Sequence, residues 1–339
     1  MYGFLNSFFT NLGIDLGTAN TIVYSDSRGY VINQPSVVAF RQGLQIIAFG
    51  AEAKEMLGKT GKSIRVIRPL ADGVIADFEA GEEMVKAFIR SAGVPRYRIG
   101  KIIMGVPTGI TEVEKFAVIE SAEHAGAREV YLIEEPMAAA IGLGLDVKGK
   151  QAHMIVDIGG GTTDIAVINY GGIVVDNTIR IAGDELNEAV IRFFKNNYQM
   201  RIGESSAERM KIDFGTVTEK YNGKAVVVKG LDMQTGMPRQ LILPSSFFVE
   251  ALNDITDVIT NAVLNTLEKL PAELVNDLVD RGIILSGGGA LLKGLDDVIR
   301  ERTKLPVSVA DNALYSVAEG TRLIIEDFKT YKSLLMSRS

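Results

Sequence analysis

Two stretches decide how this chain folds: DLGTANT at Asp15–Thr21 and DIGGGTTD at Asp157–Asp164. Each follows an apolar, strand-like segment, Leu12–Leu16 in one case and His153–Ile158 in the other. Each leads into a second strand (Thr21–Tyr24 or Asp164–Ile168), a turn near Asp26–Gly29 or Asn169–Gly172, and a third strand. Two unrelated hairpins with glycine turns are the plainer reading. The shared Asp-x-Gly and Thr, at the same place in the strand pattern, favour one β-hairpin unit used twice, once in each half.

Glycine and small side chains let backbone N–H groups approach an anion closely. Gly17, Thr18, Ala19 and Asn20 can form one such cradle, and Gly159, Gly160 and Gly161 its partner. A triphosphate clamped between them needs its charge offset. Asp15 and Asp157 are suited to holding Mg²⁺ through water, because Mg²⁺ dehydrates reluctantly. A third glycine cluster, LSGGGALLKGLD at Leu285–Asp296, follows the strand Gly282–Leu285 and opens a helix. Its backbone can pass under a flat base, although a glycine-rich turn without a ligand has the same sequence. In SSAERMK, Ser205–Lys211, Glu208 and Lys211 lie three apart on one helix face. They are either a surface ion pair or contacts to ribose hydroxyls and an adenine edge.

LIEEPMAAAIG, Leu132–Gly142, ends a strand on two acids and starts a helix with Pro136, where a missing N–H costs nothing. Glu135 therefore falls where strand ends meet a cleft and can orient a water. Glu134 has a structural or interface role. GKTGKS at Gly58–Ser63 imitates a Walker A loop, but that motif needs glycine at position 56, which is Met56. It reads as a polar loop.

The remaining chain fits an α/β protein. At ~150 residues per domain, 339 residues suggest about two domains, with an ordinary balance of 47% hydrophobic and 23% charged residues. A net charge of −6 argues against a generic nucleic-acid surface. No cysteine means no disulfide and no thiolate metal site, and His124 and His153, the only histidines, give little support to a histidine cluster or a Ser-His-Asp triad. No apolar run reaches the ~20 residues of a bilayer span. MYGFLNSFFTN lacks a signal peptide's charged start and cleavage site, so the cytoplasm is the expected compartment.

Further strands are expected at Lys101–Val106, Val130–Ile133, Ala225–Val228 and Gln240–Leu243. Thr111 and Glu114 are spaced as a capping box, followed by an apolar face of Val113, Phe116 and Ala117 and a stop at Gly126. Ser205 and Glu208 repeat that spacing. Asp184–Gln199 reads as an amphipathic helix with Leu186, Val190, Phe193 and Phe194 on one side. At the start, Gly3–Leu12 would place Phe4, Leu5, Phe8, Phe9 and Leu12 on one face of a helix that could lie on a membrane. The alternative is a core-packed lead-in to the first strand.

Together the motifs resemble the superfamily of actin, sugar kinases and seventy-kilodalton chaperone ATPases. More narrowly they resemble the MreB/Mbl family of bacterial actin-like proteins. IDLGTANT, NQPSVVAF, IRPLADGVIADF, IEEPMAAAIG, MIVDIGGGTTDIAVI, IRIAGDELNEAVI, IGESSAERMK and ILSGGGALLKGLD occur in family order from Ile14 to Ala318. Asp164 stands where many MreB proteins have Glu, as in Mbl, and the loop at Gly93–Arg98 is shorter than in relatives that use it to touch membrane.

The resemblance implies an actin-like α/β fold: two related halves of mixed sheets flanked by helices, with ATP in the cleft. It divides the chain into an N-terminal amphipathic segment, 1–11; subdomain IA, 12–36, 70–149 and 319–339; IB, 37–69; IIA, 150–185 and 250–318; and IIB, 186–249. It puts Asp15 and Asp157 near metal and water, and gives Glu135 and Thr162 the attacking water. It assigns Glu208 and Lys211 to the nucleoside, and Gly287, Gly288, Gly289, Ala290 and Leu291 to base and phosphates. The implied function is that of a cytoskeletal ATPase with slow turnover. It would form membrane-associated filaments of paired antiparallel protofilaments on the cytoplasmic face of the cell membrane. It would direct cell-wall synthesis to maintain rod shape, with partners such as RodZ, MreC and MreD. A kinase of the same fold needs a base aimed at a bound alcohol, and no further acid is placed for it. A chaperone ATPase needs a peptide-binding domain, for which the sequence leaves no room.

Overall fold

A computed structural model describes residues 8–41, 43, 45–221 and 223–337. The first half runs β1 (Thr10–Leu16), β2 (Asn20–Ser25) and β3 (Gly29–Pro35), then a small lobe of β4 (Val38–Arg41), β5 (Gln45–Phe49), α1 (Ala51–Met56) and β6 (Ile64–Ile67). The hairpin of β7 (Leu70–Ala71) and β8 (Val74–Ile75) returns the chain to the main body. There follow α2 (Phe78–Ser91), β9 (Ile99–Val106), α3 (Glu112–Ala125), β10 (Glu129–Glu134) and α4 (Glu135–Gly142).

The second half starts the same way, with β11 (His153–Ile158), β12 (Thr163–Asn169) and β13 (Gly172–Ile179). Its lobe comprises α5 (Gly183–Tyr198), β14 (Met200–Arg201), α6 (Glu204–Phe214), β15 (Ala225–Asp232) and β16 (Pro238–Pro244). Then come α7 (Phe247–Glu268), α8 (Ala272–Arg281), β17 (Ile283–Ser286), α9 (Leu295–Thr303) and β18 (Val307–Val309). The chain finally crosses back through α10 (Ser316–Glu326) and α11 (Phe328–Tyr331) to β19 (Met336–Ser337), which pairs with β10 at the edge of the first sheet.

The duplication expected from the two loops extends to whole sheets. In the first half the order is β19-β10-β9-β1-β2-β3, and in the second β13-β12-β11-β17-β18. In each, an antiparallel meander continues into two strands parallel to its first member. Every residue of β11 is buried, the pattern of a strand covered on both faces.

Each half has its own core, around Leu12, Ile14, Phe88 and Met104 in one and Phe194, Phe248 and Ile259 in the other. A third core joins them: Ile103 and Ile133 from the first sheet and Ile155 and Ile168 from the second enclose Met137, Ile141, Val317 and Ile324 of α4 and α10. These helices cross at very close range. A Cβ on Gly142 would run into the Ser316 carbonyl oxygen, and one on Gly320 into that of Ala138.

Local signals were mostly reliable. Thr111 and Glu114 form the capping box, with Thr111 N–H donating to Glu114 Oε2 at 2.8 Å, and Gly126 ends α3 at φ 114°. Leu186, Val190 and Phe194 are buried on α5, with Phe193 packed beside them.

Three expectations need correction. The face of α3 that is buried is Val118, Ile119, Ala122 and Ala125, while Val113 is 80% exposed and Phe116 also faces out, because the helical repeat puts both on the opposite side of the helix from that face. Ser205 does not cap α6; its N-cap is Gly203 without a side-chain bond. The amphipathic helix does not reach Leu12. Phe8 and Phe9 lie in a turn and bend, β1 starts at Thr10, and Leu12 is fully buried, because its strand pairing wins over helical amphipathicity. Phe4 and Leu5 lie outside the described residues.

Gly320→Ala is expected to lower stability by about 3 kcal/mol, since neither backbone can yield without shifting a helix. Val113→Ser, on an exposed turn, should change it by less than about 0.5 kcal/mol. Urea midpoints of the two variants against the parent check both values.

Candidate functional site

A cavity of about 400 Å³ opens between the halves. Its floor is built where β1 and β11 end. Asp15 is in register with Ile22 on β2 and Gly105 on β9; Asp157 with Asp164 on β12 and Ser286 on β17. The loops that follow meet face to face. A Cβ on Gly160 would lie 2.9 Å from the backbone nitrogen of Ala19, and one on Gly161 would lie 2.9 Å from Thr18 Oγ1. Gly17 leaves room for the Asn20 carbonyl oxygen, 2.7 Å from where its Cβ would be. Only glycine permits these approaches, and they leave backbone N–H groups from both loops bordering one space. Thr18 Oγ1 accepts a hydrogen bond from Gly73 N–H at 3.0 Å, which ties the first loop to the β7–β8 turn.

The acids of the floor repel one another. Burial, then the charge of Asp157, pushes the Asp15 carboxyl up to about 7. Burial raises Asp157 to about 6, against a 2.6 Å hydrogen bond donated by Ser286 Oγ to its Oδ1. Glu135 opens α4 just beyond β10 and lies well above its ordinary range, through burial and then the charges of Asp164, Asp157 and Asp15. Gly105 lies beside it and is kept small by Val317, whose Cγ1 would be 2.8 Å from a Cβ there. Such a floor favours a bound cation. Among the described residues no three acidic or histidine side chains converge as direct metal ligands. Asp15 and Asp157 offer carboxylate oxygens, the donors that a magnesium ion takes.

Of the residues singled out from sequence, Asp15, Gly17, Thr18, Ala19, Asn20, Glu135, Asp157, Gly159, Gly160, Thr162, Glu208, Lys211, Gly287, Gly288, Gly289 and Leu291 all border the cavity. Gly161 and Ala290 pack behind it, Gly161 against Asp72 and Ala290 in the core. Gly287 has φ 81° and sits where a Cβ would strike the Ile158 carbonyl oxygen, so this turn also needs glycine. Glu208 and Lys211 do not pair with each other. Glu208 binds Lys54 of the opposite lobe at 2.7 Å. Lys211 Nζ donates to the Gly183 carbonyl oxygen at 2.7 Å, and burial brings its pKa down to about 8. Arg68 makes a second bridge across the mouth, to Glu204 and to Asp184 at 3.7 Å.

Sequence reasoning missed Asn33, Asp184, Asn187 and Tyr315, which also line the cavity. Asn187 and Asp184 lie on the first turns of α5, and their presence was signalled only by the small residues Ala182 and Gly183 that let that helix end approach Gly159.

Two duplicated sheets hinged on a shared pair of helices, with facing glycine loops above buried acids, define an actin-like nucleotide-cleft protein. The chain belongs to the MreB/Mbl family, whose model matches residues 9–333. It is 45% identical over 324 residues to the cell shape-determining protein MreB of Escherichia coli strain K12, covering 94% of this chain and 93% of that one. It is 44% identical over 322 residues to the cell shape-determining protein Mbl of Bacillus subtilis strain 168, covering 94% and 97%. MreB 5 of Spiroplasma citri, solved bound to AMPPNP, superposes with a TM-score of 0.91 at 34% identity over 96% of this chain and 98% of that one. The double helical filament of MamK shares the fold, with a TM-score of 0.80 at 21% identity over 94% of this chain and 98% of that one.

The raised carboxyls predict a pH dependence. Between the unfolded value of 3.8 and the folded values of about 7 for Asp15 and about 6 for Asp157, the folded state binds more protons than the unfolded one. Stability of the nucleotide-free protein should therefore fall as pH rises through this window. Asp157→Asn should flatten the fall. Thermal melts from pH 4 to 8, without nucleotide or metal, measure both slopes.

Proposed function

We propose that this chain binds ATP with Mg²⁺ in the cleft, hydrolyses it slowly, and polymerises into filaments that act in maintaining cell shape. The observation that carries the reading is the contact of Gly160 with Ala19, which sets the two anion-cradling loops against each other above Asp15 and Asp157. Magnesium held there through water would offset the charge of the triphosphate. Glu208 and Lys211 would take the nucleoside, with Glu208 sharing its carboxylate with Lys54, and Gly287–Leu291 would pass under the base. Thr162 and Glu135 would position the attacking water. The desolvated Glu135 is a stronger proton acceptor than a free glutamate, which suits that task. With the subdomain boundaries that the resemblance implies, the cavity would be lined by subdomains IA, IIA and IIB, with Lys54 and Arg68 of IB bridging its mouth.

Assembly is supported by the names of the relatives as cell shape-determining proteins and by the filament formed on the same fold. A heterologous contact that does not close gives an open filament; we infer paired antiparallel protofilaments. Cell-wall elongation proteins such as RodZ, MreC and MreD would be its partners. Phe4, Leu5, Phe8 and Phe9 are proposed to touch the cytoplasmic face of the membrane. The sequence segment itself carries no basic residue, but the fold brings two to it: Arg98 lies 4.8 Å from the Phe8 ring centre and Arg128 4.3 Å from that of Phe9. Phe8 is 47% exposed, so an apolar tip stands beside cations that attract anionic lipid.

Electron microscopy should find filaments with ATP and Mg²⁺. Glu135→Ala should still bind ATP and assemble but release phosphate about 100-fold more slowly; equal phosphate release by parent and variant would refute the role of Glu135. Phe8→Ser is expected to reduce co-sedimentation with anionic liposomes and leave ATP binding intact. Full pelleting of that variant, corrected for self-pelleting, would remove Phe8 from the membrane contact.

A further inference from the structure

The repeat makes one residue conspicuous. Asp157 is paired across its hairpin with Asp164, whereas its counterpart Asp15 is paired with Ile22. The first half thus fills this position with an apolar side chain. The fold can thus build this hairpin without an acid at that position, and a buried carboxylate is costly unless it is bonded. Asp164 is completely buried, and its Oδ1 is well supplied. Thr108 N–H donates to it at 2.9 Å and Thr178 Oγ1 at 2.7 Å, while Thr108 Oγ1 lies 3.2 Å away. Thr178 is the hub: it also accepts from Gly109 N–H at 3.2 Å and lies 2.6 Å from Thr108 Oγ1. A consistent set of protons has Thr178 donating to Asp164 while accepting from Thr108 and Gly109.

This clasp crosses between the halves. Thr108 and Gly109 belong to the turn after β9; Asp164 and Thr178 lie on β12 and β13. The same turn supplies Pro107, which with Thr162 closes around Gly73. The second oxygen of Asp164, Oδ2, is buried and has no hydrogen-bond partner among the described residues. Thr162 stands two residues before Asp164, the spacing that puts two side chains on one face of an extended chain, and it is buried with it.

We propose that Asp164 is a positioning residue for ATP hydrolysis, locking the Pro107–Gly109 turn to the second half through Oδ1 and turning the Thr162 hydroxyl through Oδ2. With its proton given to Oδ2, Thr162 keeps its lone pairs for a water that Glu135 also faces. This rests on the roles proposed above for Thr162 and Glu135. The clasp makes no contact that nucleotide binding requires, so its loss acts on turnover rather than on affinity.

Steady-state hydrolysis of full-length protein with MgATP tests this in Asp164→Asn, Thr178→Val, Thr178→Ser and Glu135→Ala. Asparagine keeps an acceptor for Thr108 but loses the charge and offers Thr162 a donor; valine removes the hub; serine keeps it. The expected result is a kcat about tenfold to a hundredfold lower in Asp164→Asn and Thr178→Val. Their KM should be unchanged, and Thr178→Ser should be restored to parental turnover. Should Asp164→Asn fail to fold, the valine and serine pair decides alone. Parental kcat in Asp164→Asn and Thr178→Val, with Glu135→Ala slow, overturns the clasp and leaves the water-positioning reading standing. A rise in KM matching the loss of kcat, or a Thr178→Ser as slow as the valine, also overturns it. Parental turnover in Glu135→Ala overturns both.

Discussion

The crossing of α4 and α10 fixes everything above it. Two backbones touch there because Gly142 and Gly320 carry no side chain, and the small residues Ala138, Ala139 and Ala140 keep the contact dry. Both sheets rest on this pair through Ile103, Ile133, Ile155 and Ile168, so their separation builds on a main-chain contact between the two helices. Glu135 begins the first of these helices and Tyr315, at the cavity wall, directly precedes the second. The distance across the cleft is therefore an extension of a van der Waals contact at its base.

Upon that base the site is electrostatically unfinished. Asp15, Asp157, Glu135 and Asp164 converge with every pKa raised, while each is pinned by strand register or by a helix start. The fold holds them together at a cost that a cation would relieve. The mouth is the reverse, since Lys54 and Arg68 meet Glu208, Glu204 and Asp184 in complementary pairs. Charge is matched where the lobes touch and mismatched where a ligand would lie.

Much of this was legible from sequence because backbone requirements leave few choices. The facing loops, the Gly287 turn and the capping box of Thr111 each need particular residue types at fixed spacing, and each stands where the sequence put it. Residues whose role depends on distant partners were opaque. Nothing near Glu208 announces Lys54, and nothing near Phe8 announces Arg98. Periodicity misled where apolar residues lie on the outer side of a helix, as Val113 and Phe116 do on α3. It also misled where strand pairing overrode it, as at Leu12. Asn187 carried no signal of its own, since a lone asparagine on an amphipathic helix is ordinary; only Ala182 and Gly183 before it marked that helix end.

The path of the chain has a mechanical consequence. It begins in the first sheet, leaves for the second after α4, and comes back through α10 to end as β19 beside β10. The second half is thus an insertion held by two neighbouring covalent crossings. Two points of attachment define a line, and rotation about that line is the one displacement that stretches neither strand of the tether. Sliding and twisting of the halves are opposed by the peptide chain itself. A small opening at the cleft floor must then become a larger arc at the outer lobes, in proportion to their distance from the axis.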